Sequence, residues 1–90
     1  MEILIMYDIS EDKRRSKVEK LLSGYGVRVN YSVFELGISK SEYRKILEKL
    51  LDITSKEDNI RIYILTKKVI ERSFVLHGQR GIFEYEEPYF

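Results

Sequence analysis

The sequence predicts an α+β domain in which two helices cover one face of a small antiparallel sheet. Three observations predict this class: an apolar run opens the chain, two amphipathic helical stretches follow, and a strand-like alternating segment comes after each of them. A chain of 90 residues is one domain with a small core, and without cysteine it has no disulfide to stabilise it. We therefore expect oligomerisation to supply further buried area.

The first strand is predicted over residues 3–9, because ILIMYDI is a continuous apolar run of β-forming residues. Such a run is typical of a central strand that is covered on both faces. Ser10 or Asp12 can then cap a helix that runs to about Ser23. One face of that helix is apolar, through Val18, Leu21, Leu22 and Tyr25.

Residues 27–36 alternate as strand residues do. One face carries Val27, Val29, Tyr31 and Val33, and the other carries Arg28, Asn30, Ser32 and Phe34. The predicted fold needs two strands in this region, yet no glycine or proline offers a turn before Gly37. A bulge or a tight bend near residues 30–32 would reconcile the pattern with two strands, and the sequence favours neither.

A capping box formed by Ser39 and Glu42 opens the second helix. Its apolar stripe consists of Tyr43, Ile46, Leu47, Leu50 and Leu51. Beyond a polar loop at residues 52–58, alternating isoleucines mark the last core strand: Ile60, Ile62 and Ile64. The resulting order, β-α-β-β-α-β over residues 1–65, is that of a ferredoxin-like domain.

Residues 66–90 are predicted to be a C-terminal β extension of this core. Ser73–His77 has the pattern of a strand, and Phe83–Tyr85 is a possible second one. An additional strand beyond a complete core can pair with an edge of its own sheet or of a neighbour's sheet. We expect the extension to pack on a partner protomer.

Composition limits the function classes. A net charge of +1 gives no overall basic field. No apolar run approaches the roughly 20 residues that span a bilayer, so no membrane partner is expected. The apolar N-terminus lacks the basic region of a signal peptide, and we expect a cytoplasmic protein.

The sequence lacks the residues that several kinds of catalytic or binding site require. His77 is the only histidine, which excludes a paired-histidine nuclease within one protomer, and Ser10 has no nearby histidine for a hydrolytic triad. The sequence has no glycine-rich phosphate loop and no cysteine or histidine spacing typical of zinc. The glycine-aromatic signature of an RNA-recognition module is also missing.

Asp8 is the first candidate for chemistry. It ends the first predicted strand just before a helix, where a rigid scaffold holds the loop. A carboxylate at such a position also commonly caps the following turn. Position alone leaves a catalytic role and a capping role open.

Basic and aromatic residues near Asp8 suggest nucleic-acid contacts. The basic residues are Lys13, Arg14, Arg15, Lys17 and Arg28. Arginine can hold phosphate oxygens through two hydrogen bonds without reading bases, although Glu11, Asp12 and Glu19 could pair with the same side chains on a solvated helix face. Aromatic rings on the predicted strands could stack on bases: Tyr7, Phe34 and Tyr63. Core packing suits most of them, and Phe34 is the exception because its neighbours on that face are polar.

Four segments together resemble the CRISPR-associated protein 2 family. They are Y-D-I-S at Tyr7 to Ser10, the pair Arg14 and Arg15 with Lys17, G-V-R-V-N-Y-S-V-F-E at Gly26 to Glu35, and N-I-R-I-Y-I-L at Asn59 to Leu65. The similarity spans residues 1–65 in order and spacing. Asn30 stands where members often have glutamine, and residues 66–90 match only as a short extension with a β segment.

The resemblance implies a ferredoxin-like protomer in a two-fold homodimer, with the extension crossing to the partner's sheet. It implies an endonuclease of spacer acquisition in antiviral defence, dependent on Mg²⁺ or Mn²⁺, that cuts RNA or double-stranded DNA. Asp8 of both protomers would be the catalytic metal ligand. The expected nucleic-acid contacts are Arg14, Arg15, Arg28, Phe34, Tyr7 and Ser10.

Two other functions remain open under the same resemblance. Several members act as a scaffold with the CRISPR-associated protein 1 integrase, so the chain could be a non-catalytic adaptor that holds duplex DNA between integrase subunits. A toxin-type ribonuclease on the same fold is the other alternative. Asp8 would be present in all three cases, so the sequence does not separate them.

Overall fold

A computed structural model of the chain describes residues 1–83, and four strands of that part form one antiparallel sheet. The strands are β1 (Glu2–Asp8), β2 (Gly26–Asn30), β3 (Val33–Gly37) and β4 (Asn59–Leu65). Their order in the sheet is β2-β3-β1-β4, with β1 paired antiparallel to both β3 and β4. The predicted α+β, ferredoxin-like architecture is confirmed.

The described helices are α1 (Asp12–Ser23), α2 (Lys40–Ile53) and α3 (Lys67–Glu71). The N-cap of α1 is Glu11, whose carboxylate accepts the Arg14 N–H at 3.0 Å, so the expected cap at Ser10 or Asp12 is wrong by one residue. Glutamate, one methylene longer than aspartate, reaches the same free amide of the first turn. The capping box of α2 is confirmed at Ser39 and Glu42. None of the helices in this part of the chain is long and apolar enough to cross a membrane.

The core lies between the helices and the inner face of the sheet. It contains Ile3, Ile5, Tyr7, Phe34 and Leu36 from the sheet and Val18, Leu22, Ile46 and Leu50 from the helices. Fully burying each large apolar side chain contributes about 1.5–3 kcal/mol. Phe34 is 1% exposed, so the expectation that it differs from the other aromatics is wrong. It pairs with Ile5, and partners in register share a face, which turns the ring toward the helices.

The opposite side of the sheet, here called the outer face, carries Met6, Asp8, Glu35 and Arg61. Strand alternation places Met6 and Asp8 there, because the intervening Tyr7 points into the core. Glu35 lies opposite Leu4, and Arg61 lies opposite Met6. Helices α1 and α2 do not cover this face.

The link between β2 and β3 contains both features that the alternating pattern allowed. The register shifts between Arg28 and Asn30, which is a bulge, and Tyr31 and Ser32 form the turn. The Asn30 Oδ1 atom accepts the Tyr31 N–H at 2.8 Å. No non-glycine residue of the described chain has a positive φ, so this turn needs no glycine.

The predicted strand at Ser73–His77 is wrong, because this segment is irregular. Thr66 caps the short helix α3, whose Ile70 is buried, and the Arg72 and Ser73 amides donate back to carbonyls of that helix. The chain therefore leaves a helical turn instead of running beside β4, and an alternating pattern forms a strand only where a sheet edge accepts its hydrogen bonds. Of the second predicted strand, Phe83 lies in a bend, and residues 84 and 85 lie outside the described residues.

Residues 81–83 lie against the outer face of this chain's own sheet. The buried Glu35 carboxylate accepts the Ile82 N–H at 3.0 Å and the Phe83 N–H at 3.3 Å, and Phe83 is itself buried. This part of the extension therefore contacts its own protomer. Packing of residues 66–90 on a partner stays a prediction.

Candidate nucleic-acid interface

Asp8 is the last residue of β1 and lies exposed on the outer face, in register with Asn59 of β4. Its carboxylate makes no hydrogen bond or ion pair with any of residues 1–83. Asp8 does not cap the following turn, because the N-cap of α1 is Glu11. Asp8 is therefore available to a ligand.

A groove of about 140 Å³ runs beside Asp8 on the outer face, lined by Met6, Tyr7, Asp8, Asn59 and Arg61. Arg61 is exposed, and within the described chain its guanidinium makes one long hydrogen bond, 3.5 Å to the Tyr63 hydroxyl. A free carboxylate and a guanidinium thus line the same groove. We call it the Asp8 groove.

Arg14 is held by Asp58. Its Nε and Nη2 atoms donate to the two carboxylate oxygens at 2.9 and 3.1 Å, and Asp58 also accepts the Ser55 N–H at 2.9 Å. The guanidinium and the Ser55 amide lower the pKa of the Asp58 carboxyl, and the same hydrogen bonds to Asp58 raise the pKa of Arg14. Asp58 therefore uses two of the five N–H donors of this guanidinium, those of the edge formed by Nε and Nη2.

Arg15 and Arg28 are also engaged. Arg15 donates to the Ile9 carbonyl at 3.0 Å and pairs with Asp12, whose hydrogen bond raises the pKa of Arg15. Arg28 contacts the Tyr31 carbonyl through Nε at 2.9 Å and the Glu19 carboxylate through Nη2 at 2.8 Å. These are the intramolecular pairs that the solvated-face alternative anticipated.

Tyr7 and Phe34 offer no free ring face to a base. Tyr7 is 4% exposed, and its hydroxyl donates to Glu19 at 2.6 Å and to the Tyr31 carbonyl at 3.1 Å. Burial, followed by the hydrogen bond to Glu19, raises the pKa of Tyr7 well above its ordinary value. The Phe34 ring lies 6.3 Å from that of Tyr7, inside the core. Stacking a base on Phe34 would require the core to open, so the predicted contact at Phe34 is dropped.

Of the expected contacts, only Tyr7 lines the groove with Asp8, and its ring is buried. The other lining residues were not selected from the sequence, and Arg14, Arg15 and Arg28 are held elsewhere in the chain. Ser10 is exposed in the loop between β1 and α1, where a nucleic-acid contact stays a prediction. The overlooked residue is Arg61. Its signal was present, because alternation with the isoleucines of NIRIYIL puts Arg61 on the face away from the core.

The donor set bears on whether the site fits a divalent cation. Residues 1–83 contain no group of three or more histidine, cysteine, aspartate or glutamate side chains that could hold a metal. Asp8 supplies one carboxylate. Mg²⁺ commonly keeps several waters and binds through one or two carboxylates and substrate phosphates, so the Asp8 carboxylate is a ligand of the type that this ion takes.

Comparison with known proteins gives the family. The family model described as CRISPR associated protein Cas2 matches residues 1–73. A relative from Synechocystis sp., named CRISPR-associated endoribonuclease Cas2 3, is 48% identical over 64 residues, which are 70% of this chain and 70% of the relative. The CRISPR-associated endoribonuclease Cas2 of Thermus thermophilus is 33% identical over 89 residues, 98% of this chain and 94% of the relative.

Solved structures agree with this match. The crystal structure of Streptococcus pyogenes Cas2 at pH 6.5 superposes with a TM-score of 0.74 and 35% identity, covering 86% of this chain and 100% of the other. A chain of a partial Cas6-RT-Cas1–Cas2 complex gives a TM-score of 0.71 and 37% identity over 86% of this chain and 91% of the other. The chain therefore belongs to the CRISPR-associated protein 2 family.

Proposed function

We propose that this protein is a metal-dependent endonuclease that hydrolyses phosphodiester bonds in the Asp8 groove, with RNA as its first substrate class. One observation carries the proposal: the Asp8 carboxylate ends a central strand that is paired on both sides, is exposed, and is not used for capping or ion pairing within the described chain. The relatives named endoribonucleases support RNA as the substrate. Double-stranded DNA is the second substrate to test.

Asp8 would hold Mg²⁺ or Mn²⁺ through its carboxylate, together with waters and a phosphate oxygen of the substrate. When bound there, such an ion would polarise the phosphoryl group and activate a water molecule as the nucleophile. One carboxylate is a weak site by itself. We therefore propose that Asp8 of a second protomer completes it across a two-fold axis, which couples dimerisation to catalysis.

Exposed apolar side chains support the proposed homodimer. Met6 and Tyr63 are 37% and 44% exposed on the outer face, and Phe74 and Leu76 of the extension are 44% and 62% exposed. A small domain without disulfides gains stability when a second copy covers such residues. Met6 and Tyr63 lie on the same side of the sheet as Asp8, and Phe74 and Leu76 lie in the extension. Leu51 of α2, at 80%, is also exposed.

A second candidate function is that of a DNA-binding scaffold in spacer acquisition. It is favoured by the similarity to a chain in a partial Cas6-RT-Cas1–Cas2 complex, which also makes the CRISPR-associated protein 1 integrase the proposed partner. The single carboxylate at the site suits a scaffold as well as an enzyme. The two functions differ in whether the protein cuts nucleic acid through Asp8 or only binds it.

The experiment compares wild type with Asp8→Asn and, as a matched control, Glu2→Gln. Both substitutions remove one exposed carboxylate from the same face of β1 and change little else in shape. Labelled RNA and duplex DNA are incubated with Mg²⁺, with Mn²⁺ or with EDTA. We expect metal-dependent cutting by wild type and Glu2→Gln and none by Asp8→Asn, with equal circular dichroism and sedimentation for all three.

Wild-type cutting by the Asp8→Asn protein would refute the catalytic role. If no preparation cuts either substrate but all bind duplex DNA and the integrase, the scaffold function replaces the enzymatic one.

A further inference from the structure

We infer that Arg61 is a phosphate-binding residue of the Asp8 groove, which grips the nucleic-acid backbone beside the phosphate at Asp8. The inference rests on the proposed function, in that it takes a nucleic-acid strand to be the ligand of this groove. In this arrangement the phosphate contact comes from β4 of the sheet and not from the arginines of α1 and β2.

The register of β1 and β4 sets the spacing between the two groups. Asp8 is paired with Asn59 and Met6 with Arg61, so Asp8 and Arg61 are diagonal neighbours on one face of the sheet. Diagonal neighbours in antiparallel sheets are about 7–8 Å apart, which a long side chain can bridge. An arginine extended along the sheet can therefore reach the space above Asp8.

The groove has room for such a ligand. Its volume of about 140 Å³ equals that of a few water molecules, each of which occupies about 30 Å³ in the liquid. A phosphate group displacing those waters would have the Arg61 guanidinium on one side and Asp8 on the other. The carboxylate alone would repel the phosphate, and the adjacent positive charge offsets that repulsion.

Availability distinguishes Arg61 from Arg14, Arg15 and Arg28, the arginines of α1 and β2. Arg14, Arg15 and Arg28 each donate to a carboxylate within their own chain. No carboxylate of residues 1–83 lies within 4.0 Å of the Arg61 guanidinium, whose one hydrogen bond is the long contact to Tyr63. A guanidinium carries five N–H donors in a fork that matches a phosphate. The donors of Arg61 that make no hydrogen bond within the described chain can therefore bind an anion from outside it.

The test is a salt titration of binding, performed without metal in an Asp8→Asn background so that no cleavage interferes. Arg61→Gln and Arg61→Lys are compared with Arg44→Gln, which removes another exposed arginine, from helix α2 on the other side of the sheet. The probes are a labelled single-stranded RNA and a labelled duplex DNA, each in two unrelated sequences. Sedimentation of every variant reports its oligomeric state.

We expect Arg61→Gln to weaken binding roughly tenfold or more, equally for unrelated sequences. The slope of log affinity against log salt should flatten by about 0.7 on RNA or 0.9 on duplex for each phosphate that Arg61 no longer neutralises. Arg61→Lys should keep the slope and recover part of the affinity, because it retains the charge without the fork. Arg44→Gln should match its parent.

An unchanged slope in Arg61→Gln, with the parent still binding, overturns this inference and leaves the proposed function standing. An altered sedimentation coefficient in Arg61→Gln also overturns it, because Arg61 would then be a subunit contact. If neither wild type with Mg²⁺ nor the Asp8→Asn parent binds either probe, the proposed function fails and this inference fails with it.

Discussion

The guanidinium of Arg14 and the carboxylate of Asp58 form two side-by-side hydrogen bonds, 2.9 and 3.1 Å long, between residues that are 44 positions apart. The Asp58 side chain is 2% exposed, whereas that of Arg14 is 27% exposed. The pair joins the first turn of α1 to the residue before β4. Asn59, which follows Asp58, is paired with Asp8, so this contact holds the start of β4 beside the Asp8 groove.

Arg14→Ala is predicted to destabilise the fold. It leaves the enclosed Asp58 carboxylate with the Ser55 amide as its remaining described partner, and a charge that loses its counterion in such a place is strongly unfavourable. We expect the melting temperature to fall by about 5 °C or more, measured by circular dichroism. Arg44→Ala, a change at an exposed position of α2, is the control and should shift it little. Equal melting temperatures for both variants would mean that Arg14 is a dispensable surface residue.

The same pair predicts a pH dependence of stability. Arg14 lowers the pKa of Asp58 below its ordinary value of 3.8, and the Ser39 amide and hydroxyl lower the pKa of Glu42 below 4.5. A carboxyl whose pKa is lower in the folded state stabilises the fold above its unfolded pKa, and that contribution is lost as pH falls through the folded pKa. Urea unfolding should therefore show the stability gap between wild type and Asp58→Asn narrowing from pH 7 to pH 3. A gap that stays constant over that range contradicts the assignment.

Tyr7→Phe is predicted to affect stability and not nucleic-acid binding. The substitution removes the hydroxyl that joins Glu19 and the Tyr31 carbonyl, while the ring stays in the core. Losing this hydrogen bonding should cost about 0.5–1.5 kcal/mol in the free energy of unfolding. Tyr31→Phe is the matched control, since the Tyr31 side chain is on the surface at 86% exposure. If Tyr7→Phe bound RNA more weakly while its free energy of unfolding stayed unchanged, the Tyr7 hydroxyl would be a nucleic-acid contact.

Local chemistry in the sequence was enough to predict most of the fold. The capping box of Ser39 and Glu42 and the bend near residues 30–32 each depend on neighbouring residues, and both are present. The strand predicted at Ser73–His77 failed because alternation does not reveal whether a sheet edge is available. That availability depends on how the preceding α3 directs the chain.

The candidate site was harder to predict for the same reason. An arginine that is bound to a partner and one that is free look alike in sequence, and the partner of Arg14 lies 44 residues away. Arg61 was not predicted as a site residue, because a single charge within an alternating strand forms no cluster of charges in the sequence. Asp8 could be chosen from its place at the end of a strand, and its role there stays a prediction.

The contact between Glu35 and Gly81 carries the last prediction. Residue 81 passes so close to the sheet that a Cβ atom would lie 2.0 Å from Oε1 of Glu35 and 2.7 Å from Cγ1 of Val29. Such distances are far below van der Waals contact, so any side chain at this position must displace the buried carboxylate. The displaced oxygen is the one that accepts the Ile82 and Phe83 amides.

Gly81→Ala is therefore predicted to release residues 81–83 from the outer face while the sheet stays intact. Hydrogen exchange at the Ile82 and Phe83 amides, followed by NMR, should become roughly tenfold faster or more, whereas the amides of β1 should keep their protection. Gly37→Ala is the control, because nothing lies within 4 Å of a Cβ added there. Glu35→Gln separates charge from geometry: its side-chain carbonyl still accepts both amides, so their protection should fall less than in Gly81→Ala. Unchanged exchange in Gly81→Ala would show that Glu35 does not hold this segment to the sheet.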